Sequence, residues 1–441
     1  MQEKHNLQAT SSLSEWLSYL ENSHFKAIDL GLERIKAVAN ELDVLNPAPF
    51  VITVGGTNGK GTTCRLLETM LLKAGLRVGV YSSPHLLRYN ERVRIQNQEL
   101  PDEAHTQSFA YIEARKTQSL TYFEFTTLSA LYLFKQAKLD VVILEVGLGG
   151  RLDATNIVDN NLAVITSIDI DHVDFLGSSR EQIAFEKAGI FRAGKPVVIG
   201  EPDVPAAMLA HAGLLGCELA CRDKDWSFAQ KADSWTWQNQ KVRLENLPIC
   251  RIPLQNAATA LAAVQFMPVQ ISEEIIRQSL QEVELAGRFQ RINAERLVPL
   301  ATLVRRSVES LPQIIIDVGH NPHAARYLAG KLIELKQKTS QKITAVCGIL
   351  KDKDSEGVLS PLLPIIDKWH CVTLEGARGQ SGSNLFVTLK NLANKQQIPF
   401  HGESENSVES GIISAISQMD NNEILLVFGS FHTVTGFLEL L

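Results

Sequence analysis

Two sets of short apolar runs, separated by helical stretches, constrain the fold of this 441-residue chain more than any other feature. Most of these runs are rich in β-branched residues, and helical stretches lie between them, which is the pattern of a parallel sheet in an α/β protein. The sequence therefore predicts two doubly wound sheets, a larger one followed by a smaller one. The runs are 50–54, 77–81, 140–146, 162–168 and 196–200 in the first set, and 313–319, 343–349, 368–374 and 423–429 in the second.

The length of the chain also favours two domains, because a single core rarely grows to this size. We place the joint near "ELAGRFQR" (284–291), where a helical pattern ends at Gly287. Residues 203–250 are rich in Trp and polar residues, and we expect extra antiparallel strands there.

Composition excludes several classes of function. The net charge of −6 is small and spread along the chain, so it predicts no nucleic-acid surface and no membrane-binding patch. The first residues lack the apolar core of a signal peptide, and no apolar run is long enough to span a bilayer. The six cysteines are scattered without the spacing of a zinc site. We therefore expect free thiols and a cytoplasmic location.

The stretch "FVITVGGTNGKGTTC" (50–64) has the context of a phosphate-binding loop, between an apolar strand and an amphipathic helix. It departs from the common spelling, because Val54 replaces the first Gly and Gly61 follows Lys60. Its glycines can still turn backbone N–H groups toward an anion at the helix N-terminus. Lys60 would add a charge for phosphates and Thr62 a hydroxyl for a metal ion. The alternative is a flexible glycine turn.

Acidic and histidine side chains follow two other strands of the first set, and ligands in doubly wound sheets bind at this edge. Glu145 ends a nearly continuous apolar run, where a carboxylate is costly unless a cation meets it. A magnesium ion on ATP phosphates would do so, and an ion pair with Arg151 is the structural alternative. His172, within "SIDIDHVDFLG", is either a metal ligand or a solvated turn residue.

Three further positions carry weaker indications. Lys187 lies on a helix among apolar residues, after a capping-box pattern from Ser178 to Glu181. If buried, its amine would have a lowered pKa and could react with carbon dioxide, and otherwise it reaches solvent along its apolar stem. Asn256 starts an Ala-rich helix, where a plain N-cap explains it. Asp317 and His320, in "DVGHNPHA", mark a strand tip of the second set.

Ten motifs in this order resemble the dihydrofolate synthase/folylpolyglutamate synthase group of the Mur ligase family. The resemblance covers almost the whole chain, and the family's phosphate loop has the same shortened spelling. The motifs are "GTNGKGTT", "SSPHLLRYNERV", "TYFEFTTLSAL", "EVGLGGRLDATN", "SIDIDHVDFLG", "FEKAGI", "GRFQ", "DVGHNPHA", "GILKDKD" and "FGSFHTV".

The resemblance implies a two-domain α/β architecture. Residues 1–287 would form a P-loop NTPase-type domain that binds ATP and pteroate, and residues 288–441 a Rossmann-like glutamate ligase domain. It also implies an ATP-dependent ligase that forms an acyl phosphate, which the amine of L-glutamate then attacks. Dihydropteroate and reduced folates would be the acids, and ATP, two magnesium ions and optionally potassium the other requirements. We expect a monomer.

The resemblance further implies roles for individual residues. Catalysis would involve Lys60, His172, Arg288 and Lys187, the last as N6-carboxylysine, whose carbamate can engage a second metal. The metal ligands would be Ser83, Glu145 and His172. The ATP-binding residues would be Thr57, Asn58, Gly59, Lys60, Gly61, Thr62, Asn256, Arg288, Asp317 and His320, and the dihydropteroate-binding residues Ile28, Asp29, Leu30, Thr121, Tyr122, Phe123, Glu124, Leu152, Asp153 and Ala154.

One departure and three alternatives remain. The link between "GRFQ" and "DVGHN" is longer than in the family, and we expect an enlarged hairpin or surface loop there. A peptidoglycan Mur ligase is less well matched, since only 49 residues precede the first strand. The other two alternatives are a synthase that only lengthens the glutamate tail and a nucleotide-dependent switch without ligase chemistry. The motifs at 28–30 and 121–124 favour the bifunctional group.

Overall fold

The computed structural model describes residues 7–441, which form two compact units. The first unit ends at Glu284, and the second is Leu285–Leu441. The boundary predicted from the sequence falls after Gly287, and the roles given there to the two parts remain predictions. None of the helices in residues 7–441 combines the length and the apolar character needed to cross a membrane.

The first unit is built on an eight-stranded sheet with the strand order β4-β3-β2-β5-β1-β6-β7-β8. The strands from β2 to β8 in this order are parallel, and β3 and β4 form an antiparallel edge. The strands are β1 (Phe50–Gly55), β2 (Val78–Tyr81), β3 (Val93–Ile95), β4 (Gln98–Glu99), β5 (Val141–Glu145), β6 (Leu162–Ile165), β7 (Pro196–Ile199) and β8 (Glu218–Cys221).

Helices cover both faces of this sheet, as the parallel strands require. Alternate residues of β1 enter different cores: Ile52 and Val54 pack with α3 on one face, and Val51 packs with α5 on the other. The helices are α1 (Leu13–Asn22), α2 (Glu33–Glu41), α3 (Lys60–Lys73), α4 (Asp102–Glu113), α5 (Tyr122–Ala137), α6 (Val173–Leu176), α7 (Arg180–Ala188), α8 (Ala206–Leu215), α9 (Leu254–Val264) and α10 (Glu273–Glu282).

A separate three-stranded antiparallel sheet confirms the extra strands expected within 203–250. Its strands are β9 (Trp226–Gln230), β10 (Ser234–Asn239) and β11 (Arg243–Pro248), in the order β11-β10-β9. The fully buried Trp237 of β10 donates a hydrogen bond from Nε1 to the carbonyl oxygen of Ala258, at 3.1 Å. The small sheet is therefore attached directly to α9.

The second unit is a six-stranded sheet with the order β12-β13-β17-β14-β15-β16, parallel except for β12. Its strands are β12 (Gln290–Arg291), β13 (Gln313–Asp317), β14 (Ile343–Cys347), β15 (Lys368–Val372), β16 (Gly402–Glu405) and β17 (Ile424–Phe428). Its helices are α11 (Val298–Leu303), α12 (Pro322–Thr339), α13 (Ser355–Leu359), α14 (Gly382–Gln396), α15 (Val408–Ser417) and α16 (Phe431–Leu438).

The long link after "GRFQ" is an antiparallel β12–β13 pair whose connection contains α11. The expected hairpin is thus present, with a helix in place of a simple loop. Two local predictions were wrong. The capping box of α7 is Ser179 with Gln182, one residue beyond the predicted pair. The helix before the domain joint ends at Glu282 and not at Gly287, because Val283 already has an extended backbone.

Candidate active site

The glycine-rich loop between β1 and α3 is held in a conformation that only glycine adopts easily. Gly59 has a φ of 86° and precedes the first turn of α3. A Cβ atom there would lie 2.4 Å from Oδ1 of Asn256, so a larger residue would both strain the backbone and displace this amide. The Nδ2 of Asn256 donates a 2.7 Å hydrogen bond to Oγ1 of Thr62. Asn256 is therefore part of the loop's surroundings.

This position of Asn256 corrects the N-cap interpretation. The cap position of α9 is Pro253, and Asn256 lies inside the helix. The side chain is buried and points to the loop, 194 residues away in the sequence from Thr62. This contact with the glycine-rich loop supports the predicted role of Asn256 in nucleotide binding, which stays a prediction.

Residues after β6 fix the loop from its other side. Oγ1 of Thr57 donates to the carbonyl oxygen of Asp169 at 3.0 Å, and the N–H of Asn58 donates to Oγ of Ser167 at 3.0 Å. Thr166 donates to the carbonyl oxygen of Asn58 at 2.6 Å. Sequence reasoning did not select Thr166 or Ser167. Their polar side chains at the end of the apolar run "LAVITSI" were the available indication.

The side chain of Lys60 folds back over the loop, and its ammonium group bonds to backbone carbonyl oxygens. Its Nζ donates to the carbonyl oxygens of Gly56 at 3.0 Å and Thr57 at 3.3 Å. These bonds leave the charge at the N-terminal end of α3, where an anion is stabilised by the helix dipole and by backbone N–H groups. The arrangement resembles that of a phosphate-binding loop.

Lys187 lines the same small cavity as Lys60, Asp171 and His172. Its side chain is 4% exposed, and burial together with the charge of Lys60 lowers the pKa of its amine to about 7. The interpretation of Lys187 as a residue that reaches solvent is therefore wrong, because α7 packs closely on the glycines after β5. A Cβ at Gly150 would lie 2.8 Å from the carbonyl oxygen of Glu186.

The three predicted metal ligands follow the carboxyl ends of β2, β5 and β6, which lie at one edge of the sheet. Glu145 is buried at the end of β5, opposite Val54 of β1. His172 is exposed, with Nε2 4.0 Å from Oδ2 of Asp171. Ser83 lies just after β2. Carboxylate, imidazole and hydroxyl donors suit magnesium or manganese, so the residue types fit such an ion.

Arg151, the structural partner considered for Glu145, has another carboxylate as its partner. Arg151 forms an ion pair with Glu186, at 2.8 Å between Nη2 and Oε1. A cation at the buried carboxylate of Glu145 stays a prediction.

Two of the predicted pteroate segments are joined by Arg34, which sequence reasoning did not select. Its Nη1 lies 2.8 Å from Oδ2 of Asp29, and its Nη2 lies 2.9 Å from Oε1 of Glu124. Beside this pair, Ile28 and Leu30 expose 45% and 39% of their surface. Arg34 thus holds a partly apolar loop against the start of α5, with side chains available to a flat ring.

The third segment, residues 152–154, lies close to Phe123 of the second segment, because both contact Gly147. The ring of Phe123 stacks on Tyr81 with centroids 5.9 Å apart, and a Cβ at Gly147 would lie 2.6 Å from Cζ of Phe123. Asp153 is buried and accepts hydrogen bonds from the N–H groups of Leu148, at 2.8 Å, and Thr155, at 3.0 Å. Asp153 therefore shapes the loop that carries Leu152 and Ala154, and burial raises the pKa of its carboxyl.

Tyr122 adds an aromatic face to this region. The guanidinium of Arg92 lies over its ring, 5.4 Å from the centroid, and burial raises the pKa of the phenol to about 12. Thr121 caps α5 together with Glu124 in a capping box. The three predicted pteroate segments are thus neighbours: Arg34 joins the first to the second, and Gly147 contacts both the second and the third.

We expect the Arg34→Met variant to bind pteridine acids more weakly, because Asp29 and Glu124 lose the cation that positions both segments. The KM for the acid should rise about tenfold, with a smaller change in the KM for ATP. Steady-state kinetics with each substrate varied separately would measure this. Arg115→Met, at an exposed arginine stacked on Tyr111, is the control. Equal effects on both KM values would contradict the positioning role.

In the second unit, the predicted nucleotide residues lie near the carboxyl end of β13. Asp317 accepts hydrogen bonds from the N–H groups of Phe289 at 2.8 Å and Gly319 at 2.7 Å. Burial raises the pKa of its carboxyl, and the charge of Arg288 opposes this increase. Arg288 lies over Phe431, 5.8 Å from the ring centroid, and the ring of His320 is 6.2 Å from the same phenylalanine. The structure thus places Arg288 and His320 against one aromatic ring, with the charge of Arg288 also acting on Asp317.

Comparisons with known proteins agree with this geometry. Residues 54–264 match the Mur ligase middle domain, and residues 302–431 match the Mur ligase glutamate ligase domain. A dihydrofolate synthase/folylpolyglutamate synthase from Haemophilus influenzae is 68% identical over 431 residues, which cover 98% of both chains. The chain belongs to this family.

Solved structures of the family extend the match to the fold. A structure of Escherichia coli FolC in complex with DHPP and ADP has a TM-score of 0.90 and 50% identity, covering 98% of each chain. A bifunctional folylpolyglutamate synthase/dihydrofolate synthase with Mn, AMPPNP and L-glutamate bound has a TM-score of 0.87 and 52% identity, again covering 98% of each chain. The predicted Mur-ligase-like fold class is thereby confirmed.

Proposed function

We propose that this chain is an ATP-dependent ligase that adds L-glutamate to 7,8-dihydropteroate, giving dihydrofolate, and to reduced folates, giving folylpolyglutamates. The full-length match to a bifunctional family member carries this proposal. The phosphate loop, the buried Lys187 and the pteroate segments supply parts that such a reaction needs.

A carboxylate is a poor electrophile, and its activation as an acyl phosphate provides a good leaving group for amide formation. Lys60 and the N–H groups of its loop would bind the phosphates and stabilise the charge that develops on the transferring phosphoryl group. When bound, a divalent metal would neutralise further phosphate charge, and Glu145, Ser83 and His172 would hold it. The FolC-type structure with bound Mn is consistent with a divalent ion in the family.

Lys187 is the candidate for carbamylation. A neutral amine is the form that adds to carbon dioxide, and a pKa of about 7 gives a substantial neutral fraction near neutral pH. The product would place a negative charge beside Lys60 and Asp171, where it could hold a second metal ion. Five further points remain proposals: the number of magnesium ions, a requirement for potassium, the monomeric state, the lack of a nucleic-acid partner and the cytoplasmic location.

A purified-protein assay tests the function. Dihydropteroate or tetrahydrofolate would be offered with ATP and each amino acid in turn, with ADP release and product mass recorded. We expect ADP release to require both an acid and L-glutamate, and both acids to gain glutamate. Activity with tetrahydrofolate alone would indicate a tail-lengthening enzyme, and ADP release without either acid would contradict a ligase.

Arg288 provides a test in the second unit. We expect Arg288→Ala to lower kcat about 100-fold, because the guanidinium beside Asp317 would no longer be available to the nucleotide. The measurement is turnover at saturating substrates, with the exposed Arg291→Ala as the control. Unchanged kinetics in Arg288→Ala would refute a role in catalysis.

A further inference from the structure

The edge of the second sheet carries a cluster that the proposed reaction does not use. His370 on β15 is opposite Glu403 on the edge strand β16, and Glu405 follows two residues later on the same face. The ligand atoms of His370, Glu403 and Glu405 all lie within 4.8 Å of one another. Three possible metal ligands therefore converge on one face of two neighbouring strands.

The imidazole of His370 is the unusual member. Its side chain is fully buried, and within residues 7–441 neither ring nitrogen has a hydrogen-bond partner. Nδ1 lies 3.5 Å from Oε1 of Glu405, too far for a well-formed hydrogen bond. Buried polar groups normally have partners, so this ring points to a ligand between it and the carboxylates.

Helix α15 packs closely against this face near Glu405. Gly411 of α15 packs over it, and a Cβ at Gly411 would lie 2.5 Å from Cγ1 of Val372 and 3.7 Å from Cβ of Glu405. Lys368 is the competing cation, since its Nζ lies 2.9 Å from Oε1 of Glu403. This lysine is on the side away from Glu405 along the strand, so the ion pair leaves the His370–Glu405 side of the cluster to another ligand.

We propose that His370, Glu403 and Glu405 bind a divalent transition metal, with zinc as the best-suited ion, and that this ion fastens β16 to β15. One imidazole nitrogen and two carboxylate oxygens are a donor set that zinc accepts. Tetrahedral ligands about 2.1 Å from zinc are roughly 3.4 Å apart, so modest side-chain movement closes the cluster around an ion. The role is structural, because the ion joins the last strand of the sheet to its neighbour.

Zinc titration of the full chain by calorimetry, with Mg²⁺ and ADP saturating the nucleotide site, tests this proposal. We expect one zinc equivalent to bind to the wild-type chain. Glu405→Gln should weaken it by more than about tenfold, since a direct ligand matters at least as much as the groups that orient ligands. Glu409→Gln, which changes an exposed glutamate on α15, is the matched control and should bind zinc normally.

A zinc-soaked crystal gives the second readout, and it does not depend on activity. An anomalous difference peak among His370, Glu403 and Glu405 would support the proposal. It would be overturned if the wild-type chain bound no zinc beyond the nucleotide site, if the peak lay elsewhere, or if Glu405→Gln kept full affinity. These results do not bear on the ligase function, because none of His370, Glu403 and Glu405 is among the residues proposed for catalysis or nucleotide binding.

Discussion

The Lys60→Met variant is expected to lose about 10³-fold in kcat. Its Nζ now bonds to the carbonyl oxygens of Gly56 and Thr57, and we expect phosphate oxygens to replace these partners when ATP binds. Methionine keeps the length and the packing of the side chain but removes the positive charge. The loss should therefore fall on the chemical step, where charge develops on the phosphoryl oxygens.

Single-turnover kinetics with saturating ATP would measure the rate of the chemical step directly. Lys73→Met is a matched control, because this residue ends the same helix and pairs with the exposed Glu282. We expect the control to keep wild-type turnover. A Lys60→Met enzyme with nearly normal turnover would show that the loop does not act on the transferred phosphate.

The second large effect is expected at Lys187, where alanine should also lower kcat by about 10³-fold. The buried amine lies beside Lys60, Asp171 and His172, and its carbamate would supply an anionic ligand that alanine lacks. Because the substitution also leaves a small space, a short carboxylate such as acetate or formate should enter and restore part of the activity. Rescue by a carboxylate distinguishes a missing anion from a general loss of structure.

The control for this experiment is Lys195→Ala, at an exposed lysine shortly after α7. It should show normal turnover and no response to acetate. Mass spectrometry of the intact wild-type chain in bicarbonate, after trapping of the carbamate by alkylation, would detect the modification itself. A Lys187→Ala enzyme with full activity would contradict the proposal, as would an inactive enzyme that no carboxylate restores.

The features that sequence predicted well are local in the chain. Five strands of the first sheet and four of the second follow from short apolar runs, whereas the short strands at or near the sheet edges, β3, β4, β8, β12 and β16, do not. The predicted phosphate loop follows from glycines between a strand and a helix. Lys187 could also be selected from its apolar neighbours on α7. In each case the residues that determine the structure are close together in the sequence.

The features that sequence missed depend on contacts between distant segments. Arg34 pairs with Glu124 across 90 residues, and neither residue shows this in its own stretch. Asn256 looked like a helix cap because Ala-rich helices often begin with one, whereas its amide contacts Thr62 on α3. The strand ends placed Ser83, Glu145 and His172 at one edge, but the orientation of each side chain depends on tertiary packing.

The attachment of the small antiparallel sheet to α9 has a consequence for how this enzyme could vary. Trp237 donates a hydrogen bond to the carbonyl oxygen of Ala258, two residues beyond Asn256, which in turn bonds to Thr62 in the first turn of α3. Changes in this small antiparallel sheet would thus reach the predicted ATP-binding loop through α9. Substitutions in this small sheet, far from any predicted substrate residue, could therefore change the affinity for ATP. Laboratory evolution of this enzyme would find some of its mutations in the small sheet.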